Sequence, residues 1–384
     1  MGQQLSGPVP KVLEELILPW TTPVAPVTEK DSGDGRCTMS DLLWGFSSMQ
    51  GWRESMEDAH IVNPPMSSRC FEAYERAARP EVNTGWGETP MPIFAVMDGH
   101  GGEQVARFCE LHLPGEIARF PCWDIANALR AAYHRMDELL ADPRNLHLLQ
   151  SLSKRAATLR TVDPRMTGCT AVVCCVRPDS IVVANAGDSR AVLCRDGRAI
   201  DMSEDHKPNL PSEVARIQKA GGCVLNQHYG PHVLHRVNGD LSLSRSIGDL
   251  RYKQNTQLTP DQQIICSTPD VRIFQRRPTD EFMVLACDGV WDVLTSQQVV
   301  DFIRPRLHQL LNGGMRTSLV VEDLLDTCLS PDPRRTYGIG GDNMTMVLVA
   351  FTGLPQEVPQ DPILPSLLQV CQPRKAAATC PVCV

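Results

Sequence analysis

The run Ile93-Phe94-Ala95-Val96-Met97 passes without a polar residue into Asp98-Gly99-His100-Gly101-Gly102. An unbroken apolar run of this length, closed by an aspartate and glycines, reads as a strand buried on both faces and then ended by a turn. The same figure recurs twice, where Ile181 to Ala186 leads into Gly187-Asp188-Ser189-Arg190 and Phe282 to Cys287 leads into Asp288-Gly289-Val290-Trp291-Asp292. A fourth acid, Asp342, opens the run Met344 to Phe351. Carboxylates far apart in sequence therefore stand at the ends of buried strands. Gathered in one partly desolvated cleft they would repel one another and be driven toward protonation unless a cation neutralised them. A ligand set made of oxygens favours Mg²⁺ or Mn²⁺ over Zn²⁺, and the neighbouring glycines let backbone approach closely enough to offer a carbonyl. A single Asp-Gly pair is more often a plain turn; four strand-end acids make the metal site the better reading.

Composition frames this site. The chain has 384 residues, 42% of them apolar, enough for one large core or two smaller ones. A net charge of −8 argues against nucleic acid as the main partner. Many of the 15 cysteines lie inside apolar runs, Cys174-Cys175 and Cys287 among them, which suits a reducing compartment better than a disulfide framework. No run reaches the roughly 18 apolar residues that a membrane-spanning helix requires.

Along the chain, residues 1–40, rich in Pro, Gly and Thr, read as a leader; 41–353 as the folded domain; and 354–384 as a flexible Pro-rich tail. Strands are expected between Trp44 and Met97, with 64–92 as a long surface loop, then at Thr170 to Val176, Ile181 to Ala186 and Ala191 to Cys194, the last turning at Asp196-Gly197. Helical spacing of apolar residues predicts helices over Gln104 to Glu116, Asp124 to Leu140, Ser212 to Ala220 with Ser212 as cap, Ser296 to Leu311 and Leu319 to Leu329. Strands and helices interleave without regular alternation, which favours an α+β fold with largely antiparallel sheets.

Nine segments then carry a resemblance. Gly51-Trp52-Arg53-Glu54-Ser55-Met56-Glu57-Asp58-Ala59-His60, Asp98 to Gly102, Gly168-Cys169-Thr170-Ala171-Val172, Ala186-Gly187-Asp188-Ser189-Arg190 and Asp205-His206-Lys207-Pro208 come first in the chain. Arg236-Val237-Asn238-Gly239, Leu243 to Asp249, Ala286 to Asp292 and Gly341-Asp342-Asn343-Met344-Thr345 follow. In this order they resemble the motifs of the metal-dependent type 2C (PPM) protein serine/threonine phosphatases, over about Trp44 to Phe351. Ser32-Gly33-Asp34-Gly35, Met49-Gln50-Gly51-Trp52 and Tyr252-Lys253-Gln254-Asn255 are most similar to the gamma-type branch, whose acidic insert and basic tail have no counterpart here.

The resemblance implies a four-layer αββα sandwich with a dinuclear metal site at one end. It implies hydrolysis of phosphoserine and phosphothreonine on proteins by direct attack of a metal-bridging water, with two Mg²⁺ or Mn²⁺ ions per subunit. Asp98 would bridge the ions, Gly99 would give its carbonyl, Asp288 and Asp342 would complete the first ion's acids, and Glu57 and Asp58 would act through water. A third ion would use Asp188 and Asp292. Arg53 would capture the phosphate bidentately and His100 would protonate the leaving oxygen. Residues 205–239 correspond to a flap beside the active site. Here 226–235, carrying His228, His232 and His235, reads as a long substrate-facing loop, preferred to a transition-metal site because no acid or Cys completes a ligand set.

The resemblance further implies phosphoprotein substrates and a single-subunit enzyme, a monomer. Met1-Gly2-Gln3-Gln4-Leu5-Ser6 fits the N-myristoylation pattern at Gly2, so the expected location is cytoplasmic with a peripheral membrane contact, the nucleus being left open. The alternatives are a catalytically silent phosphoprotein-binding scaffold, against which the complete acid set with Arg53 and His100 argues, and a phosphoesterase acting on a nucleotide. The second lacks a gathered set of aromatics to stack a base.

Overall fold

The computed structural model describes residues 25–38, 40–63, 91–153, 163–229 and 232–353. The apolar runs become strands with two buried faces. One sheet is ordered β1 (Val27–Cys37), β2 (Leu42–Gly51), β16 (Met344–Phe351), β15 (Asp280–Ala286), β9 (Arg190–Arg195) and β10 (Arg198–Asp201). The other is ordered β14 (Asp270–Gln275), β8 (Ser180–Ala186), β7 (Ala171–Val176), β4 (Ile93–Met97) and β3 (Ala59–Asn63). Every neighbouring pair in both is antiparallel.

The pleat sorts each run between two cores, because successive side chains point to opposite faces. Phe94 and Val96 of β4, Met283 and Leu285 of β15, and Val347 and Val349 of β16 meet in the layer between the sheets. Their alternates split outward. Ile93, Ala95 and Met97 pack under helices Gln104–Ala118 and Ile125–Ala141, while Phe282, Val284 and Leu348 pack under helices Ser296–Ile303 and Thr317–Cys328. The result is the expected α+β arrangement of helix, sheet, sheet and helix layers. Chain order scatters these strands, yet their ends gather on one side of the sandwich, where a small sheet of β13 (Ile247–Gly248), β6 (Gly168–Cys169) and β5 (Gly99–His100) extends the rim.

Several expectations are corrected. The leader does not run to residue 40, since Val27–Cys37 is a strand paired with β2 along its length. It is an edge strand of mostly polar residues, held by side-chain bonds rather than an apolar face: Asp34 accepts from Ser318 N and Ser318 Oγ, each at 2.6 Å, and Lys30 pairs with Asp326 at 2.6 Å. The helix expected from a Ser212 cap is Pro211–Lys219, with Pro at its first turn and no side-chain cap. The helix expected over Ser296 to Leu311 is broken by a 3₁₀ turn at Arg304–Arg306, centred on Pro305, whose ring cannot continue it. The expected loop 226–235 is a two-stranded ribbon of β11 (Val224–Tyr229) and β12 (His232–Val237). Gly2, the loop body 64–90 and the tail 354–384 lie outside the described residues. Among the described residues no helix is long and apolar enough to cross a membrane.

Candidate metal and phosphate site

A cleft of about 360 Å³ opens at the gathered strand ends. Asp98, Asp188, Asp288 and Asp342 line it, so the strand-end acids do converge. Arg53, Glu57, Gly99 and His100 line it as well, as do Arg236 of the flap and, just after the flap, Asp240, Leu241 and Leu243.

Backbone contacts fix Asp98 and Asp288. Asp98 leaves β4 and is clamped to Thr170, whose N–H donates to the Asp98 carbonyl at 2.9 Å and whose Oγ1 accepts from Asp98 N at 3.2 Å. Gly99 passes so close to the β2–β3 connection that a Cβ there would lie 2.1 Å from the Glu57 carbonyl oxygen, which only a glycine allows. Asp288 opens the short helix Asp288–Trp291 directly after β15, and Asp292 follows one turn later at the exposed rim, its N–H on the Asp288 carbonyl at 2.8 Å. Asp188 is buried just past β8.

The electrostatics are those of a crowded acidic cluster. Burial, then the charges of Asp288, Asp58 and Asp342, holds Asp98 well above the ordinary carboxylate range; burial, then Asp188, Asp292 and Asp342, does the same to Asp288. Burial pushes Asp58 up to about 7 despite the bond that its Oδ2 accepts from Thr345 Oγ1 at 2.7 Å. Its other oxygen, Oδ1, is buried without a hydrogen-bond partner among the described residues. Mutually repelling acids with a bare buried oxygen suit a divalent cation, the remedy that leaves the carboxylates ionised.

Cys287 lies close to Asp58 and Asp98. It does not alter the oxygen character of the set. Burial holds its thiol well above the ordinary range, and the S–H donates to the Asn343 carbonyl at 3.4 Å, so it packs as a buried donor.

Glu57 is tied to its own chain. Its carboxylate accepts from Ser55 Oγ at 2.8 Å and from Gly102 N at 3.0 Å, bracing the turn after His100. Arg53 stands at the cleft mouth in contact with Asp342, with its carbonyl held by Gln50 Nε2 at 2.9 Å. A guanidinium beside the acids balances the site and presents a fork of donors suited to phosphate.

Four residues given no role from the sequence shape the site. Asp249 accepts from His100 Nε2 at 2.7 Å and from Ser246 Oγ at 2.5 Å, all on one carboxylate oxygen. Burial would lower the His100 pKa, but the Asp249 charge outweighs it and the imidazole is held above its ordinary value. Gly168 makes room for this pair, since a Cβ there would lie 2.4 Å from Asp249 Oδ2 and 2.8 Å from His100 Nε2. Asn343 is a hub, accepting from Glu57 N at 2.9 Å and donating to the carbonyls of Gln50 at 2.8 Å and Ser55 at 2.9 Å. Thr345 bonds Asp58 as described. Each stands inside a motif, but the partner lies tens to hundreds of residues away, and no spacing rule reveals it. Asp188 and Asp292, expected to hold a third ion, both stand within electrostatic reach of Asp288. The flap histidines form no metal-binding group among the described residues.

The family model described as Protein phosphatase 2C matches residues 43–334. The probable protein phosphatase 2C 58 of Oryza sativa subsp. japonica is 38% identical over 359 residues, covering 85% of this chain and 88% of its own length. Protein phosphatase 2C homolog 3 of Schizosaccharomyces pombe is 40% identical over 329 residues, covering 85% of this chain and 68% of its own. Among solved structures, a phosphatase from Toxoplasma gondii superposes with a TM-score of 0.59 at 23% identity, covering 86% of this chain and 97% of that one.

Proposed function

The chain belongs to the protein phosphatase 2C family and is a protein phosphatase, and from that premise we propose that it hydrolyses phosphoserine and phosphothreonine on proteins with two bound Mg²⁺ or Mn²⁺ ions. The observation that carries this reading is the convergence of Asp98, Asp288 and Asp342 on one cleft with Arg53 and His100 at its edge. Asp98, the Gly99 carbonyl, Asp288 and Asp342 would hold the ions, with Glu57 and Asp58 supporting them. When bound, two such ions supply Lewis-acid polarisation of the phosphoryl oxygens and a water acidified for in-line attack.

The protein's own groups supply the rest. Arg53 binds the phosphoryl oxygens and fixes their orientation in the cleft. His100, whose pKa Asp249 raises, donates to the departing Ser or Thr oxygen, a contribution typically of about 10²–10⁴ in rate. The serine or threonine alkoxide is a poor leaving group, so this proton matters most for protein substrates. The flap ribbon, rooted beside the cleft, selects among phosphopeptides. Phosphate release from a phosphothreonine peptide, measured in Mn²⁺, in Mg²⁺ and in EDTA, tests the reading. Release with either ion and none in EDTA supports it; folded protein that binds the peptide but releases nothing would make it a silent scaffold instead.

A further inference from the structure

A lysine pairs with one of the acids expected to hold a third ion. Lys207 Nζ lies 2.6 Å from Asp188 Oδ2, and the charges of Asp288 and Asp292 add to that attraction. Asp188 is buried, its side chain 4% exposed, whereas that of Lys207 is 37% exposed, so the ammonium approaches the acid corner from the solvent side.

The pairing is built from the backbone. His206 N donates to the Gly187 carbonyl at 2.9 Å, and Gly187 N donates back to His206 Nδ1 at 3.1 Å. This reciprocal pair sits immediately before Lys207 on one strand of the contact and immediately before Asp188 on the other. The far nitrogen of His206 is anchored in turn to Asp270 Oδ2 at 3.1 Å. Lys207 is therefore clamped at its root with only its flexible stem free to move. The nearby guanidinium of Arg190 is engaged elsewhere, on both oxygens of Asp205 at 2.8 and 2.9 Å, and stands over the Trp291 ring at 5.2 Å. The ammonium of Lys207 is thus the cation that the fold directs to Asp188.

We propose that Lys207 is a tethered competitor of the third ion: its ammonium occupies the cation position at Asp188 and must swing outward for a divalent ion to bind between Asp188 and Asp292. The proposal rests on the metal-site reading above and goes beyond it. A strongly hydrated point charge on a four-carbon stem suits the role, because it can leave the acid corner for water without disturbing its backbone. The consequence is a third site intrinsically weaker than its acids alone would make it. Occupancy then depends on the free ion concentration while the two deeper ions stay bound.

The test is Mn²⁺ binding to the full-length protein, followed by calorimetry and by the electron paramagnetic resonance signal of free Mn²⁺, which need no turnover. Lys207→Met, which keeps most of the stem and removes the charge, is expected to tighten the weakest Mn²⁺ site at least tenfold and leave the tighter sites unchanged. Lys207→Arg is expected to keep that site weak, and Lys207→Met with Asp292→Asn is expected to lose the gain. Thermal melts of all variants monitor folding, and should Lys207→Met not fold, the comparison is made with Lys207→Gln. A weakest site unchanged or weakened by loss of the charge, with the tight sites intact, overturns this proposal alone. Absence of tight Mn²⁺ binding in the unaltered protein overturns the metal-site reading and the proposal with it.

Discussion

The two sides of the cleft are built on opposite principles. On one side the acids hang from strands whose residues are buried on both faces, so that Asp98 and Asp288 inherit positions fixed by close-packed cores. On the other, the ribbon β11–β12 pairs with no other sheet among the described residues and exposes Leu225, Val233 and Leu234. Only its base is buried, where Val237 packs with Ile217 and Ile265 in a small cluster, and a polar network lies nearby: Glu213 binds Arg245 at 2.7 Å and Arg216 at 2.7 Å, and Arg245 reaches Asp270 at 2.8 Å. Two metal ions demand positions held to a fraction of an ångström, whereas a surface that accepts differing peptides does not. Under the proposed function, the difference divides chemistry, at the strand-end wall, from selection, at the ribbon.

Breaking the strand-end wall should have the largest effect. Asp288→Asn is expected to lower metal-dependent phosphate release by about 10³-fold or more, a loss of several kcal/mol of charge stabilisation in the transition state. Circular dichroism separates this from unfolding, and near-normal turnover in a folded variant would break the assignment.

Next comes the proton. Asp249→Asn removes the charge that raises the His100 pKa, and about 10²-fold is expected to be lost with a phosphopeptide. A p-nitrophenyl ester, whose leaving group needs no proton, should lose far less. The sign of the pH effect follows: a general acid works only while protonated, so activity falls as pH rises through its pKa. Lowering that pKa moves the alkaline limb of the kcat profile to lower pH. A limb that stays in place would remove His100 from the role.

The packing contrast can be measured as stability. Phe94→Ala, in the layer between the sheets, should cost about 3–5 kcal/mol in denaturant unfolding. Leu234→Ala, exposed on the ribbon, should stay within about 0.5 kcal/mol. Equal costs would mean that the ribbon is part of the core after all. Shortening the ribbon, the mildest change, should reorder phosphopeptide preferences while leaving the small aryl phosphate untouched, and parallel losses on both substrates would contradict its selective role.

The same contrast decided what the sequence could reveal. Strands buried on both faces, such as Phe282 to Cys287, announce themselves as unbroken apolar runs, and the acid that ends each run is conspicuous beside them. β1 was hidden because an edge strand of Thr, Glu, Lys, Asp and Ser has no apolar period, and its partners Ser318 and Asp326 lie hundreds of residues away. The ribbon was read as a loop because Asn226 to His235 mixes polar and apolar residues without a strict period of two. Asp249, Asn343 and Thr345 act through contacts across the fold, which only a folded chain brings together. The Pro305 break was legible in principle, and helical spacing on both sides of it concealed it.

The central claim is that the strand-end acids hold the catalytic ions, and a crystal grown with Mn²⁺ and measured at a wavelength where manganese scatters anomalously tests it most directly. Two strong anomalous peaks are predicted beside Asp98, one of them also within ligand distance of Asp288 and Asp342. Saturating Mn²⁺ with no peak in that cleft would contradict the account.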